Sequence, residues 1–271
     1  MDIAQLPKIA STIRQRVIEL SHSAGTPHLG SSLSCIDILT MMYWSVLKID
    51  PMRPEDPLRD RFILSKGHAG LALYVTLAER GFFPKDVLES YNCDGGRLAE
   101  HPGPGCVPGV EAATGSLGHG LSLGLGMAFA GRIRKELYRV FVLLSDGECN
   151  EGSVWEAAMM APAQKLDNVA VIIDYNKWQA TARSNETLNL APLSNKWESF
   201  GWQTFEVNGH DFRELSRALA QVPTGSGKPL AIIAHTIKGR GVSFMEDDNN
   251  WHYRIPTKEE VRQAALELQR A

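Results

Sequence analysis

Hydrophobic residues recur along this chain with two different spacings, and each spacing predicts a different kind of element. Near the start, Ile9, Ile13 and Val17 recur at every fourth residue, as on one face of a helix. We expect this helix to end near Gly25 or Pro27, because both residue types terminate helices. Further along, the apolar residues form short continuous runs between turn residues. Such runs are typical of parallel strands that are buried on both faces.

The apolar runs alternate with periodic segments, which is the order of elements in an α/β protein. The runs predicted as strands are 61–65, 140–144, 169–174 and 230–235, and a further strand is predicted near 203–207. After the first helix, a second is predicted to follow a polar turn at 28–34 and to reach about Leu47. Four further helices are predicted: one that stops before Gly81, one within 116–131, one from near Ser153 and one from Asp211 to about Ala220. The last predicted helix begins with the capping-box pair Thr257 and Glu260. We therefore predict a doubly wound, mostly parallel sheet with helices on both faces.

A long loop and a glycine-rich helix interrupt this regular order. Residues 92–118 hold ten glycines and prolines and little periodicity, which predicts a loop, and long loops in compact domains are usually functional. In the helix that follows, each glycine costs about 1 kcal/mol relative to alanine. We expect the later glycines to allow close packing. At Gly115 and Gly118 packing and close approach to a ligand are both open readings.

Composition and charge narrow the class of protein. Lys and Arg number 28 against 31 Asp and Glu, a formal net charge of −3, so the basic excess of a nucleic-acid-binding protein is missing. No run approaches the roughly 18 apolar residues that span a membrane, and the first residues lack a secretory signal. The cysteines, which we expect to be free thiols, are Cys35, Cys93, Cys106 and Cys149. We expect a cytoplasmic protein whose partners are neither nucleic acid nor membrane.

Oxygen-bearing side chains follow two of the predicted strands where each strand ends. Asp146 follows the run at 140–144, and Asp174 and Asn176 stand at the end of the run at 169–174. In open α/β sheets, ligands bind outside the carboxyl ends of the strands. A carboxylate with an amide carbonyl suits Mg²⁺ or Ca²⁺ and not zinc. Gly147 would let a backbone N–H approach a phosphate.

At this point the sequence resembles the diphosphate-binding domain of the transketolase family of thiamin diphosphate enzymes. The family holds a Mg–diphosphate with an Asp-Gly pair and an Asn about 30 residues later, as at Asp146-Gly147 and Asn176. Further segments follow in the family's order over essentially the whole chain: HLGSSLS at 28–34, LSKGHAG at 64–70, EHPGP at 100–104, PGVEAATGSLGHGLSLGLGMA at 108–128 and KGRGVSFMEDDNNWH at 238–252. The resemblance therefore implies thiamin diphosphate and Mg²⁺ as cofactors, with Ca²⁺ able to substitute.

The resemblance also implies roles for individual residues. The metal ligands would be Asp146, Asn176 and the backbone carbonyl of Trp178. The positions implied to contact the cofactor are His68, Gly115, Ser116, Leu117, Gly147, Glu148, Asn176 and His252. The catalytic residues of the substrate channel would be His28, His101 and His252, which can bind sugar hydroxyls and move protons.

Other positions concern the subunit contact and the substrate mouth. Glu151 and Glu156 would lie near the contact between subunits, where the family links two active sites through acidic residues. After His252 many relatives continue with Gly, but this chain has Tyr253 and Arg254, which could reshape the substrate mouth. The donor and acceptor sugars are therefore less defined than the cofactor.

The resemblance further implies that residues 1–271 form a single diphosphate-binding domain. In the family a second, pyrimidine-binding domain supplies the glutamate that activates the cofactor, and we expect that domain on a partner chain. We expect an N-terminal subunit of a split transketolase that transfers a two-carbon ketol unit between a ketose and an aldose, and we expect both to be phosphorylated sugars. It would act only with a C-terminal partner subunit, in an (αβ)₂ assembly. The alternatives are a 1-deoxyxylulose-5-phosphate synthase-like or specialised biosynthetic ketol transferase, and a non-catalytic binding or regulatory paralogue.

Overall fold

The computed structural model describes residues 2–269, and a five-stranded parallel sheet lies at its centre. The strands are β1 (Arg61–Leu64), β2 (Val140–Ser145), β3 (Val169–Tyr175), β4 (Gln203–Asn208) and β5 (Leu230–His235). Their order across the sheet is β1-β2-β3-β5-β4, and every neighbouring pair is parallel. All five strands were predicted from the sequence, within one or two residues at each end.

Helices cover both faces of the sheet. Within the described residues the α-helices are α1 (Leu6–Ala24), α2 (Leu29–Ser34), α3 (Ile36–Met41), α4 (Gly70–Arg80), α5 (Gly120–Arg134), α6 (Gly152–Ala163), α7 (Ser184–Thr187), α8 (Leu193–Ser199), α9 (Phe212–Leu219) and α10 (Lys258–Leu268). The predicted doubly wound α/β fold is therefore confirmed.

Two hydrophobic cores lie on opposite faces of the sheet because side chains alternate along each strand. Phe141 and Leu143 of β2 face the core formed with α1 to α4, α9 and α10. Val142 and Leu144 of the same strand face the core formed with α5, α6 and α8. Strands β2 and β3 are buried along their whole length, which is why their sequences read as continuous apolar runs.

The predicted ends of the first and last helices are also confirmed. Helix α1 ends at Ala24, and Gly25 takes the left-handed conformation (φ 63°) that closes a helix without strain. Thr257 caps α10 by accepting a hydrogen bond from the Glu260 N–H, and the Glu260 side chain accepts one from the Thr257 N–H. These local signals predict helix ends well because the hydrogen bonds involved lie within one turn.

The interpretation of residues 28–34 as a turn was wrong. Leu29–Ser34 form α2, a helix whose residues are all buried. Leu29 and Leu33 belong to the core with α1 and α4, so burial overrides the weak helix propensity of glycine and serine. The helix predicted to reach Leu47 is also shorter. Helix α3 ends at Met41, and a π-helical turn, Met42–Val46, follows.

Other expectations from composition agree with the structure. In the described chain, residues 92–118 contain no helix or strand and connect α4 to α5 as the predicted long loop. All four cysteines are free. Among the described helices, none has the length and apolar character needed to span a bilayer.

Two glycines of α5 provide a test of the packing explanation. A Cβ on Gly124 would lie 2.6 Å from Cγ2 of Val142, whereas one on Gly126 would meet no atom within 4 Å. We expect Gly124→Ala to lower the free energy of unfolding by about 1–3 kcal/mol through overpacking. Gly126→Ala, the matched control, should raise it by up to about 1 kcal/mol because alanine favours the helix. Urea denaturation measures both, and equal effects would contradict the explanation.

Candidate active site

Three loops meet at the carboxyl ends of β1, β2 and β3 and enclose a cavity of about 310 Å³. The loop after β1 carries His68, the loop after β2 carries Gly147 and the loop after β3 carries Asn176. The chain after β5 contributes His252 to the cavity wall. The lining residues come from every motif of the sequence analysis: His28, Ser31, His68, His101, Gly115, Leu117, Ser145, Gly147, Asn150, Glu151, Asn176, Trp178, Gln179, Ala180 and His252. Parallel strands place these distant segments side by side because all their carboxyl ends point the same way.

The Asp146 carboxylate is fully buried beside this cavity. Its Oδ1 accepts the Gly147 N–H at 2.9 Å, and its Oδ2 accepts the Lys177 N–H and the Ser184 hydroxyl, each at 2.8 Å. Within residues 2–269, no lysine or arginine side chain hydrogen-bonds to it. Burial raises the pKa of Asp146 to about 7, although the Ser184 hydrogen bond acts in the opposite direction. A divalent cation against the remaining lone pairs would favour the ionised form.

Asn176 and Asp146 lie at neighbouring strand ends. Asp146 follows β2 and Asn176 follows β3, and the last residue of β2, Ser145, is paired in register with Asp174 of β3. Its Nδ2 donates to Ser34 Oγ at 3.4 Å and to Asp174 Oδ2 at 3.5 Å, while its Oδ1 accepts the Trp178 N–H. In the described chain, the Trp178 carbonyl oxygen accepts no hydrogen bond. Three oxygens of the kind that Mg²⁺ prefers thus stand in two adjacent loops.

Asp174 differs from the other polar residue at the end of its strand. It lies inside β3 with no exposed surface and forms an ion pair with the equally buried Lys66. Ser34 donates to its Oδ2 at 2.6 Å, and the Thr236 hydroxyl donates to Oδ1. Burial alone would raise the pKa of Asp174, but Lys66 holds it below its usual value. Both carboxylate oxygens of Asp174 therefore accept hydrogen bonds from other residues of the protein, and one of these donors is Asn176 Nδ2.

The four histidines predicted from the motifs lie in one cluster. The His28 ring is 5.4 Å from that of His68, 6.1 Å from that of His101 and 4.9 Å from that of His252, measured between centroids. The His28 backbone is in the left-handed region (φ 68°), and its N–H donates to the His252 carbonyl at 2.8 Å. This contact joins the start of α2 to the closing segment of the chain.

Three of these imidazoles are neutral at physiological pH. Burial lowers the pKa of His68 well below its usual value, with Lys66 as the next cause. Burial, followed by Lys238, lowers the pKa of His252 to about 3. Burial also lowers the pKa of His28, although the nearby Glu100 carboxylate acts to raise it. Neutral imidazoles have one donor and one acceptor nitrogen, so they suit sugar hydroxyls.

A lysine that the sequence analysis did not single out fixes one of these rings. Lys238 Nζ donates to His252 Nδ1 at 3.0 Å and to Asn249 Oδ1 at 2.7 Å. Burial lowers the pKa of Lys238 to about 8, so it remains largely protonated at neutral pH. Because an ammonium group can only donate, the neutral His252 ring carries its proton on Nε2.

The other predicted positions divide into two groups. Gly115, Leu117 and Gly147 line the cavity, whereas Ser116 and Glu148 do not. The buried Glu148 carboxylate accepts the Gly118 N–H at 2.9 Å and the Ser65 hydroxyl, so it fixes the long loop to the end of β1.

The two residues predicted at the subunit contact, Glu151 and Glu156, are both accessible. Glu151 lines the cavity and is exposed, and Glu156 is exposed on α6.

The glycine of the long loop, Gly115, is closely surrounded. At Gly115 (φ 134°) a Cβ would lie 2.9 Å from the His101 ring, and a Cβ on Gly67 would lie 2.4 Å from the Gly115 N. Gly115 is therefore closely packed between two loops and also lines the cavity, so packing and approach to a ligand both remain open.

Sequence reasoning missed several residues that the structure brings to this site. Lys66 and Lys238 lie inside motifs that were noticed, but lysine is rarely fully buried, so neither was considered. Asn150 and Gln179 line the cavity without any recognisable spacing. Their only signal was position, within a few residues of Asp146 and Asn176.

Comparison with known proteins agrees with this arrangement. Residues 6–268 match the family described as "Transketolase, thiamine diphosphate binding domain". The chain belongs to the transketolase family. It is 40% identical over 268 residues to one of the subunits of apulose-4-phosphate transketolase from Phocaeicola vulgatus, covering 99% of this chain and 95% of that one. It is 39% identical to 6-deoxy-6-sulfo-D-fructose transketolase subunit SqwG of a Clostridium species, covering 96% and 95%.

Solved transketolases share the fold but are longer. The structure of transketolase from Campylobacter jejuni superposes with a TM-score of 0.93 at 30% identity. The match covers 99% of this chain and 43% of the Campylobacter chain. This chain therefore corresponds to somewhat less than half of that transketolase.

Three of the residues that line the cavity have a buried polar atom without a hydrogen-bond partner among residues 2–269. His28 Nδ1, Asn150 Oδ1 and Gln179 Nε2 are buried and have no hydrogen-bond partner within the described part of the protein. Buried polar groups are normally paired, so these three atoms are available to a ligand. Together with the oxygens near Asp146, they fit a cation and a polar, phosphorylated molecule.

The buried pair of Lys66 and Asp174 provides the second prediction. Lys66→Met leaves the Asp174 carboxylate buried without its cation, and we expect it to lower the free energy of unfolding by about 3–5 kcal/mol. The double variant Lys66→Met/Asp174→Leu removes both charges and should lose clearly less than the sum of the two single variants. Guanidinium denaturation of all four proteins gives the coupling. Additive effects would show that the two charges do not depend on each other.

Proposed function

We propose that this chain is the N-terminal subunit of a split transketolase that transfers a two-carbon ketol unit between a ketose and an aldose. The observation that carries the proposal is the cavity itself. Four histidines line it, and the buried Asp146 carboxylate lies at its edge without a hydrogen bond from a cationic side chain in the described chain. A thiamin diphosphate enzyme for sugars needs this combination of a diphosphate-binding metal site and polar groups for hydroxyls.

The names and lengths of the relatives support a divided enzyme. Two relatives whose names describe them as subunits of apulose-4-phosphate transketolase are covered over 95% and 96% of their length. On this basis, residues 1–271 form the diphosphate-binding domain, and a C-terminal subunit carries the pyrimidine-binding domain with the activating glutamate. The two chains would assemble as (αβ)₂ in the cytoplasm. The apolar side chains exposed on α5 and α6 supply a surface for such contacts: Leu123, Ile133, Met159 and Met160.

In this proposal the metal is Mg²⁺, held by Asp146, Asn176 Oδ1 and the Trp178 carbonyl. Ca²⁺ can replace it because both ions prefer oxygen ligands. Gly147, Gly115 and Leu117 line the cavity where the cofactor would lie, and His68 would donate to the diphosphate. When bound, thiamin diphosphate supplies the electron sink for carbon–carbon bond cleavage and formation next to a carbonyl.

The histidines would bind the sugar and move its protons. His252 carries its proton on Nε2, so it can donate to a carbonyl or hydroxyl oxygen. His28 and His101 would exchange protons with the hydroxyls as the carbon–carbon bond changes. Because burial keeps His28 and His252 neutral, they need no deprotonation before they can act at neutral pH.

Tyr253 and Arg254, the residues expected to shape the substrate mouth, directly follow His252. The Tyr253 ring lies 4.7 Å from the His252 ring and is 64% exposed, so it can contact an arriving sugar. The Arg254 guanidinium lies over the Trp251 ring and pairs with Glu260, which keeps it among these residues. Sugar phosphates are the proposed substrates. The relatives named for apulose-4-phosphate and 6-deoxy-6-sulfo-D-fructose support a specialised sugar as the alternative.

The metal assignment leads to a prediction for the complex with its partner. Asp146→Ala removes the carboxylate ligand and should weaken Mg²⁺-dependent thiamin diphosphate binding by at least about a hundredfold. Calorimetry with and without Mg²⁺ measures the affinity. Asp146→Asn keeps the hydrogen-bond acceptor but not the charge, and circular dichroism checks that both variants are folded.

The matched control is Asp86→Ala, an exposed carboxylate in the turn after α4. It should leave the cofactor affinity unchanged. Unchanged affinity in the Asp146 variants would refute the metal site. A complex that binds no thiamin diphosphate at all would favour a non-catalytic paralogue.

A divided active site predicts that the purified chain alone is inactive. Ketol transfer should appear only after a companion chain, identified by co-purification from the native host, is added. Coupled assays with a panel of phosphorylated and unphosphorylated ketoses and aldoses would detect it. Transfer by the highly purified chain alone would overturn the subunit proposal, and activity with pyruvate would favour the 1-deoxyxylulose-5-phosphate synthase-like alternative.

A further inference from the structure

We propose that Glu100 is a positioning residue that fixes the tautomer of His28, so that Nε2 carries the proton and Nδ1 presents a lone pair to the substrate. The kinetic part of this inference rests on the proposed function, but the tautomer itself does not. Glu100 does not line the cavity and acts only through the ring.

The first observation is the environment of the two ring nitrogens of His28. Nε2 lies 3.3 Å from Oε1 of Glu100, whereas Nδ1 is buried and has no partner in the described chain. A neutral imidazole has one N–H, and a carboxylate can only accept. The proton is therefore more stable on Nε2, and the unpartnered Nδ1 becomes an acceptor.

The second observation is that the His28 backbone is fixed. Its N–H donates to the His252 carbonyl at 2.8 Å, and its own carbonyl accepts the Ser32 N–H at 3.0 Å. The backbone of residue 28 thus holds the ring in the cavity wall. The tautomer is then the main property that remains to be set by a neighbour.

The segment that carries Glu100 is fixed as well. It is followed directly by His101, and the Pro102 carbonyl accepts the Thr114 N–H at 3.1 Å. A Cβ on Gly70 would lie 2.8 Å from the Glu100 carbonyl oxygen, so the loop packs tightly on the start of α4. One short segment therefore delivers both the His101 ring and the carboxylate beside His28.

The groups around His28 do not compete for this role. The charged and titratable neighbours are Glu100, His101 and Lys238, and the rings of His68, His252 and Tyr253 pack nearby. Of these, Glu100 is the carboxylate. Lys238 contacts the other nitrogen of His252: its ammonium group donates to Nδ1, so Nε2 of that ring carries the proton and donates. The cavity would then present one accepting and one donating imidazole, which suits a molecule with adjacent hydroxyl and carbonyl groups.

The tautomer can be measured on the full chain by NMR with ¹⁵N-labelled histidine, with His28→Gln to assign the signal. We expect the wild-type His28 to be protonated on Nε2, and Glu100→Ala to shift it toward the Nδ1–H form. Asp94→Ala, an exposed carboxylate of the same loop, is the matched control and should leave the signal unchanged. A wild-type ring protonated on Nδ1, or a tautomer unaffected by Glu100→Ala, would overturn the inference.

The complex with its partner gives an independent readout. Glu100→Ala should lower kcat/KM for the ketose donor about tenfold or more, as expected for loss of an oriented base, with unchanged thiamin diphosphate affinity. Because Glu100 raises the pKa of His28, its removal should move the acid limb of the kcat/KM profile to lower pH. Glu100→Asp should restore part of the loss. An unmoved acid limb would contradict the role, whereas the expected tautomer in a complex without ketol transfer would support the positioning and refute the proposed function.

Discussion

The buried ion pair between Lys66 and Asp174 is the interaction on which the site depends. It joins the end of β1 to β3, while Ser34 brings in α2 and Thr236 brings in the chain after β5. Two charges without solvent must stay paired, so the four segments cannot separate without a large cost in free energy. The oxygen ligands, the start of α2 and the closing segment are therefore held in one arrangement before any ligand arrives.

The cavity next to this pair has no cationic side chain bonded to Asp146 in the described chain, but it contains several neutral hydrogen-bond donors and acceptors. Asp146 is buried without a hydrogen bond from a lysine or arginine in the described chain, and burial raises its pKa to about 7. Burial also lowers the pKa of His28, His68 and His252, which keeps these three rings neutral. Burial thus has two consequences: one carboxylate needs a cation, and the imidazoles can exchange single protons with hydroxyl groups.

Much of the fold was predictable because its signals are local or repeat at short spacing. The buried strands β2, β3 and β5 have nearly continuous apolar sequences, and Thr257 with Glu260 specifies the start of α10 within one turn. The segment at 28–34 was misread because its glycine and serines lack helix propensity, and contacts with α1, α4 and the segment Asn249–His252 stabilise α2. Lys66 and Lys238 were missed for a related reason. Their burial depends on partners 108 and 14 residues away in the chain, respectively.

The sequence by itself determined the order of the elements, the family, and the residue types at the carboxyl ends of the strands. Motifs such as Asp146-Gly147 and Asn176 preserve that information because side-chain chemistry and spacing are written directly in the chain. Only the tertiary structure decided which groups are charged, which nitrogen carries a proton, and which polar atoms are left for a ligand. Those properties depend on desolvation and on hydrogen-bond partners from other segments, as for His28 and His252, and no local pattern in the sequence specifies them.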